Sequence, residues 1–290
     1  MGVNMKKKVL YDYDLRKGKL MAETESATVI RLNNGSVLKL FRPDVLQMSA
    51  VVNMEQKILD AVPIKHSPEI LVPTAAVYSE QGNFAGYIMP SASGQSYNDL
   101  DDSLSIPQRE NLTKYAHTHA KLEKVLKRNK DIVFPDFCTC DNIFIDDNGN
   151  VQFIDYDGLQ IGGHRSLSIS TSLGMPEQIL SPKYINSDCF FSKELDKRSS
   201  IILYFLSTFN MDVTKIGVVN PETGLPVTFD DFFSCIELDD PDVCHKVWKL
   251  FQDDQPNEYL GDDVYRIADK YDMKVVAVIG DKYIKKLYKK

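Results

Sequence analysis

Long apolar runs are missing from this sequence, and with them the case for a membrane protein. No stretch approaches the roughly 20 consecutive apolar residues that a spanning helix needs, so no transmembrane segment is expected. The opening Met1-Gly2-Val3-Asn4-Met5-Lys6-Lys7-Lys8 is basic but lacks the apolar core of a secretory signal. Lys6 stands where a myristoylation signal carries Ser or Thr. These absences lead to the expectation of a cytoplasmic protein. Excess positive charge is absent too. The chain has 34 Lys and Arg against 41 Asp and Glu, a formal net charge of −7, so a general nucleic-acid binder is not expected. Cysteine is scarce, five in 290 residues with irregular spacing, which does not fit a disulfide framework. Cys138-Thr139-Cys140 together with Cys244-His245 leaves a zinc site open beside the simpler reading of free thiols, although the first pair is more closely spaced than zinc pairs usually are.

What is present reads as a soluble α+β chain. Ala27–Leu32 and Ser36–Phe41 are apolar-rich runs separated by Asn33-Asn34-Gly35, a strong hairpin signal. Val45–Val62 carries apolar residues at helical spacing and ends at Pro63. Leu71–Tyr78 and Phe84–Met89 form a second expected strand pair around Gln81-Gly82-Asn83. Ser91–Ser96 is small and polar, as a linker would be. A long helix is expected over Pro107–Asn129. Asn142–Ile145 and Val151–Ile154 follow as short strands around Asp146-Asp147-Asn148-Gly149. The remainder is expected to be mostly helical, near Leu195–Thr208, Asp242–Gln252 and Asp262–Tyr271. Strands first and helices later predict two parts, 1–90 and 91–290.

Four local features stand in an order that phosphoryl transfer requires. Lys39 sits mid-strand in Val37-Leu38-Lys39-Leu40-Phe41, where a lysine would reach phosphates from a rigid element. Glu55, sixteen residues on, lies on or beside the apolar face of the expected helix and could pair with Lys39. Asp136 and Asn142 bracket the loop Phe137-Cys138-Thr139-Cys140-Asp141, an arrangement that can orient a hydroxyl and bind a metal. Asp155 ends the strand Val151–Ile154 and can present a carboxylate to a hard cation. Asn142 and Asp155 fall at one end of the expected hairpin, where one ion could touch both. Asp196 opens a very apolar helix, where an acid also suits the helix dipole. Each feature alone has an ordinary reading as a surface lysine, a polar turn or a helix start.

Together these residues resemble the protein-kinase-like superfamily, over roughly residues 15 to 210. The resemblance implies a bilobal fold, with a small antiparallel-sheet N-lobe carrying one helix and a larger, mainly helical C-lobe. It implies ATP with Mg2+ or Mn2+ as cofactors. Lys39 would be the strand lysine, Glu55 its helix partner, Asp136 the catalytic-loop aspartate, Asn142 and Asp155 the metal ligands, and Asp196 the brace of the catalytic loop. Val29, Ile88 and Met89 would line the adenine site, with Ile88-Met89-Pro90 as the hinge. The implied activity is transfer of the γ-phosphoryl group of ATP to Ser or Thr hydroxyls of a protein. A small-molecule kinase of aminoglycoside or choline type, and a pseudokinase scaffold, stay open as alternatives.

Several positions depart from the family pattern. Residues 22–29 contain no glycine where the phosphate-covering loop belongs, and Glu23 and Glu25 would repel phosphate. Asp136 to Asn142 is one residue longer than usual. The DFG motif reads Asp155-Tyr156-Asp157, so its glycine is replaced and Asp157 becomes a candidate extra metal ligand. Gly174-Met175-Pro176-Glu177 or Ser181-Pro182-Lys183 would close the activation segment. Ser166, Ser168, Ser170, Thr171 and Ser172 within it are candidate phosphorylation sites, or simply part of a solvated loop.

Overall fold

The computed structural model describes residues 6–9, 18–61, 68–97, 109–136, 141–167, 184–209, 224–226, 228, 236–238 and 275–278. Within them the chain is a mixed α+β protein with a predominantly antiparallel sheet. Strands β1 (Lys6–Val9), β2 (Lys19–Glu23), β3 (Ala27–Arg31), β4 (Val37–Phe41), β5 (Ala75–Tyr78) and β6 (Phe84–Met89) form a six-stranded sheet. Its spatial order is β1-β5-β6-β4-β3-β2, and only β1 runs parallel to its neighbour.

Both expected hairpins form, at the expected turns. Asn33-Asn34-Gly35 closes because Gly35 adopts φ 82°, a conformation that side-chain-bearing residues resist. The Gly35 amide donates to the Leu32 carbonyl at 2.9 Å, and Asn34 Oδ1 accepts from the Ser36 amide at 3.1 Å. Strand alternation then sorts the side chains. Ile30, Leu38, Ala75, Val77 and Ile88 cluster on one face. Val37, Phe41, Tyr87 and Met89 point to the other, where Met54 and Ile58 cover them.

The helix expected over Val45–Val62 is two helices, α1 (Pro43–Val52) and α2 (Met54–Leu59). The break lies at Asn53, which adopts φ 50° and ψ 51°. Asparagine tolerates this left-handed conformation better than most residues, whereas periodicity alone carries no trace of it. The reorientation buries Met54, Lys57 and Ile58 on one side of α2.

The second part is built on α3 (Arg109–Arg128), whose Leu122, Val125 and Leu126 are buried. Gln95–Ser96, expected as linker, is strand β7, which pairs with β9 (Ile143–Ile145). Strand β9 pairs in turn with β10 (Val151–Phe153), and β8 (Ile132–Val133) pairs with β11 (Gln160–Ile161). Helix α4 (Glu194–Phe209) packs on α3. Between them His119 Nε2 lies 3.0 Å from Ser200 Oγ, which donates to Glu123 Oε1 at 3.2 Å. Burial drives the His119 pKa down to about 3, so the ring is neutral. In the region expected to be mainly helical, β12 (Ile236–Leu238) and β13 (Val275–Val278) pair antiparallel; the helices expected near 242–252 and 262–271 lie outside the described residues.

One hydrophobic cluster runs through both parts, from Ala27 and Tyr87 to Leu122, Phe153 and Leu203. The segment 69–71 ties them together. The Phe153 amide donates to the Glu69 carbonyl at 2.7 Å, and the Leu71 amide donates to the Phe153 carbonyl at 3.0 Å. Strand β10, which leads into Asp155, is thereby fixed beside the sheet that carries Lys39. Among the described residues no helix is long and apolar enough to cross a membrane.

Candidate active site

Strand register fixes the direction of Lys39. It pairs with Val29 on one side and Tyr87 on the other, so the three side chains share a face. The Lys39 ammonium donates to an oxygen of Asp155 and to both oxygens of Asp157, the latter at 2.9 and 3.0 Å. Burial works against its charged form, but the two carboxylates outweigh burial and hold the pKa above its ordinary value. Met89 and Val29 belong to the cluster on this side of the sheet. Ile88 lies apart from them on the opposite face, and its carbonyl accepts the Thr74 amide at 2.7 Å.

The Asp155-Tyr156-Asp157-Gly158 segment is a single 3-10 turn after β10. Asp155 adopts φ 63° and ψ 55°, a left-handed conformation that costs a non-glycine residue on the order of 1–3 kcal/mol. Tyr156 anchors the turn in the core. The Gly158 amide donates to the Asp155 carbonyl at 2.9 Å. A Cβ on Gly158 would lie 2.5 Å from Asp155 Oδ2, so a side chain there would push the carboxylate from its present position.

Asp157 is almost wholly buried, and the Tyr87 hydroxyl donates to its Oδ1. Burial alone would raise its pKa, but Lys39, Tyr87 and Lys57 together bring it below the ordinary value. Both Asp157 oxygens accept the Lys39 ammonium. Asp155 behaves oppositely. Burial, then the like charge of Asp157, pushes it up to about 6 against the pull of Lys39, and Asp136 adds to the rise. Asp155, Asp136 and Asn142 line one small cavity walled by Phe134, Phe153 and Leu159. Asn142 Nδ2 donates to the Asp136 carbonyl at 2.9 Å, and the Ile154 amide donates to the Asn142 carbonyl at 3.0 Å. That second bond is the hairpin closure that brings Asn142 beside Asp155.

Asp196, at the start of α4, is fully buried and accepts the Phe134 backbone amide at 2.8 Å. Lys193 pairs with the same carboxylate and donates to the Asn129 carbonyl at 3.0 Å. Burial raises the Asp196 pKa, with Lys193 and the Phe134 amide opposing. That bond ties the start of α4 to the backbone two residues before Asp136.

The Lys39–Glu55 pair expected from sequence does not form. Glu55 Oε1 accepts the Tyr78 hydroxyl at 2.7 Å, and no ion pair joins it to Lys39. The break at Asn53 turns a different residue toward the site. Lys57 is completely buried and donates to the carbonyls of Asp157 at 2.7 Å, Leu159, and Arg165 at 3.0 Å. Burial drives its pKa down to about 7 in spite of Asp157 and Asp155. Lys57 and Tyr87 are the site residues that sequence reasoning missed. Lys57 did leave a signal, because it shares helical spacing with Met54, Ile58 and Ala61, and a cation on such a face demands acceptors.

The β2–β3 turn is closed without glycine by Thr24. Its hydroxyl accepts the Ala27 amide at 3.0 Å, and its own amide donates to the Ala27 carbonyl at 2.9 Å. Glu23 and Glu25 are exposed there. Ser166, expected as a candidate phosphorylation site, is buried and donates to the Gly158 carbonyl at 2.7 Å, so it serves the turn instead. Ser168, Ser170, Thr171, Ser172, Glu177, Pro182 and Lys183 lie outside the described residues, as do Cys138, Cys140, Cys244 and His245. Among the described residues no three His, Cys, Asp or Glu side chains gather as a metal cage. The chain matches no protein-family model and no curated protein.

Proposed function

We propose that this chain is a bilobal, protein-kinase-like phosphotransferase that moves the γ-phosphoryl group of ATP to a Ser or Thr hydroxyl of a protein. The N-lobe would be residues 1–90 and the C-lobe 91–290, with the nucleotide between them. The observation that carries this reading is the meeting of Lys39 from the sheet with Asp155 from the β9–β10 hairpin, beside a cavity shared with Asp136 and Asn142. Folding alone does not call for a cation, two carboxylates and an amide at one junction. The Asp196 brace on Phe134 adds a means of fixing the loop that carries Asp136.

The donor set suits the proposed cofactor. Asp155 and Asn142 offer hard oxygen ligands, and Mg2+ is ordinarily held by one or two such side chains together with substrate phosphates. When bound, Mg2+ or Mn2+ would neutralise charge on the transferring group. Lys39 would hold the phosphates of ATP. Asp136 would orient the acceptor hydroxyl and take its proton as the oxygen bonds to γ-phosphorus, with ADP leaving. The rate gain would come mainly from positioning and charge stabilisation. A protein substrate is favoured because the stretch between Asp155 and Asp196 is long enough for an activation segment, which small-molecule kinases usually lack.

One observation favours the scaffold alternative. The β2–β3 turn closes on its own Thr24 and exposes two glutamates, which is poor chemistry for covering phosphate. The test is labelled ATP with Mg2+ or Mn2+, on the full chain, with Asp136→Ala as control. Autophosphorylation or transfer to protein that is lost in the variant supports the proposal. Transfer only to sugars, aminoglycosides or lipids supports the small-molecule alternative. No transfer, and no nucleotide-induced rise in melting temperature, refutes nucleotide chemistry.

A further inference from the structure

We propose that Asp157, rather than Glu55, is the positioning carboxylate of Lys39, and that helix α2 communicates with the site through Lys57 instead of through its glutamate. Three observations carry this. Asp157 presents both oxygens to the Lys39 ammonium at 2.9 and 3.0 Å, a two-point contact that fixes the lysine's direction. The carboxylate is itself held, by the Tyr87 hydroxyl from the adjacent strand, and Tyr87 is completely buried. Its backbone is held as well, because the buried Lys57 ammonium donates to the Asp157 carbonyl at 2.7 Å. Glu55 accepts the Tyr78 hydroxyl instead.

The consequence is a division of labour within Asp155-Tyr156-Asp157. Asp155 lines the cavity with Asp136 and Asn142, whereas Asp157 is not part of that lining and bonds Lys39 and Tyr87. The second aspartate takes the position that a glycine holds in the family pattern and adds a fixed anion beneath the lysine. Lys57 ties α2 to the carbonyls of residues 157, 159 and 165, so a shift of this helix would move the turn that carries both aspartates. Glu55 has no such contact.

The closing experiment separates this proposal from the phosphotransferase reading, on which its nucleotide arm alone rests. The first arm uses no nucleotide. Denaturant unfolding of the full chain is measured in two double-mutant cycles, Lys39→Met with Asp157→Asn and Lys39→Met with Glu55→Gln. The Asp157 cycle is expected to show coupling on the order of tenfold in the folding equilibrium, and the Glu55 cycle less than about twofold. Coupling of Lys39 to Glu55, or additivity with Asp157, overturns the proposal. Should Asp157→Asn fail to fold, Asp157→Glu replaces it in the cycle with Lys39→Met: coupling there upholds the proposal and additivity overturns it. The second arm measures Mg-ATP affinity. Asp157→Asn is expected to weaken it on the order of tenfold, as loss of a charge-assisted contact would, with Asp157→Glu recovering part of that loss. Glu55→Gln is expected to stay within about twofold of the parent chain, and a larger loss there overturns the proposal. If the parent chain binds no Mg-ATP, the phosphotransferase reading falls while the unfolding cycles still decide this one.

Discussion

Replacing Lys57 by methionine tests the most unusual electrostatic feature of the molecule. Methionine keeps most of the length and removes the charge. In the folded chain the Lys57 amine is fully buried and meets only carbonyl oxygens directly, and burial lowers its pKa from 10.5 to about 7. The sign of the pH effect follows from proton counting. Between about pH 7 and the ordinary lysine value, the unfolded chain holds a proton that the folded chain has released, so stability rises with pH across that window. Below about pH 7 both states are charged and the full burial cost applies. Each pH unit within the window contributes about 1.4 kcal/mol, or about 3 kcal/mol from pH 7 to pH 9. The Lys57→Met chain lacks this contribution. It also leaves three carbonyls without a donor, at about 1 kcal/mol each or more, which the relief of the buried charge offsets at low pH. Urea unfolding at a series of pH values should show the two chains of similar stability near pH 6. The parent should then pull ahead by about 3 kcal/mol near pH 9. A stability difference that stays constant or shrinks as pH rises would refute the argument.

Other substitutions probe the supports of the site. Asp196→Ala strips the Phe134 amide of its acceptor and leaves Lys193 without its carboxylate; it should cost about 3 kcal/mol in thermal or urea unfolding. Gly158→Ala places a methyl against the Asp155 carboxylate, so the phosphoryl transfer proposed for this chain should fall by as much as ~100-fold while circular dichroism shows a folded chain. Asn53→Ala forces an alanine into the left-handed break between α1 and α2 and should cost about 1 kcal/mol of stability, read from the denaturant midpoint.

Much of the architecture was legible because it depends on local chemistry. The two hairpins at Asn33-Asn34-Gly35 and Gln81-Gly82-Asn83 were set by turn residues, and the faces of β4 and β6 by simple alternation. The strand at Gln95–Ser96 was not legible, for the opposite reason. A two-residue strand has no periodicity to read, and it exists only because β9 lies alongside. The site divides in the same way. The proximity of Asn142 to Asp155 was implied by one hairpin, whereas the bond from the Phe134 amide to Asp196 joins residues 62 apart and is a product of packing. The acids that meet Lys39 were not legible, since spacing along the chain pointed to Glu55 and Asp157 lies 118 residues away.

By itself, then, the sequence determined the strand order of the hairpins, the polar residues available for chemistry, and the absence of a membrane-spanning run. Those properties follow from residue type and short-range spacing. Only the tertiary structure decided which carboxylates reach Lys39, because Asp155 and Asp157 lie 116 and 118 residues from it along the chain. Asn53 turns α2 so that Lys57 enters the interior and Glu55 stays with Tyr78. The same packing carries Tyr87 and the 155–158 turn together across 70 residues of chain between Tyr87 and Asp157. A buried ammonium can persist there only because folding brings three carbonyls to it, and no local pattern specifies an encounter of that kind.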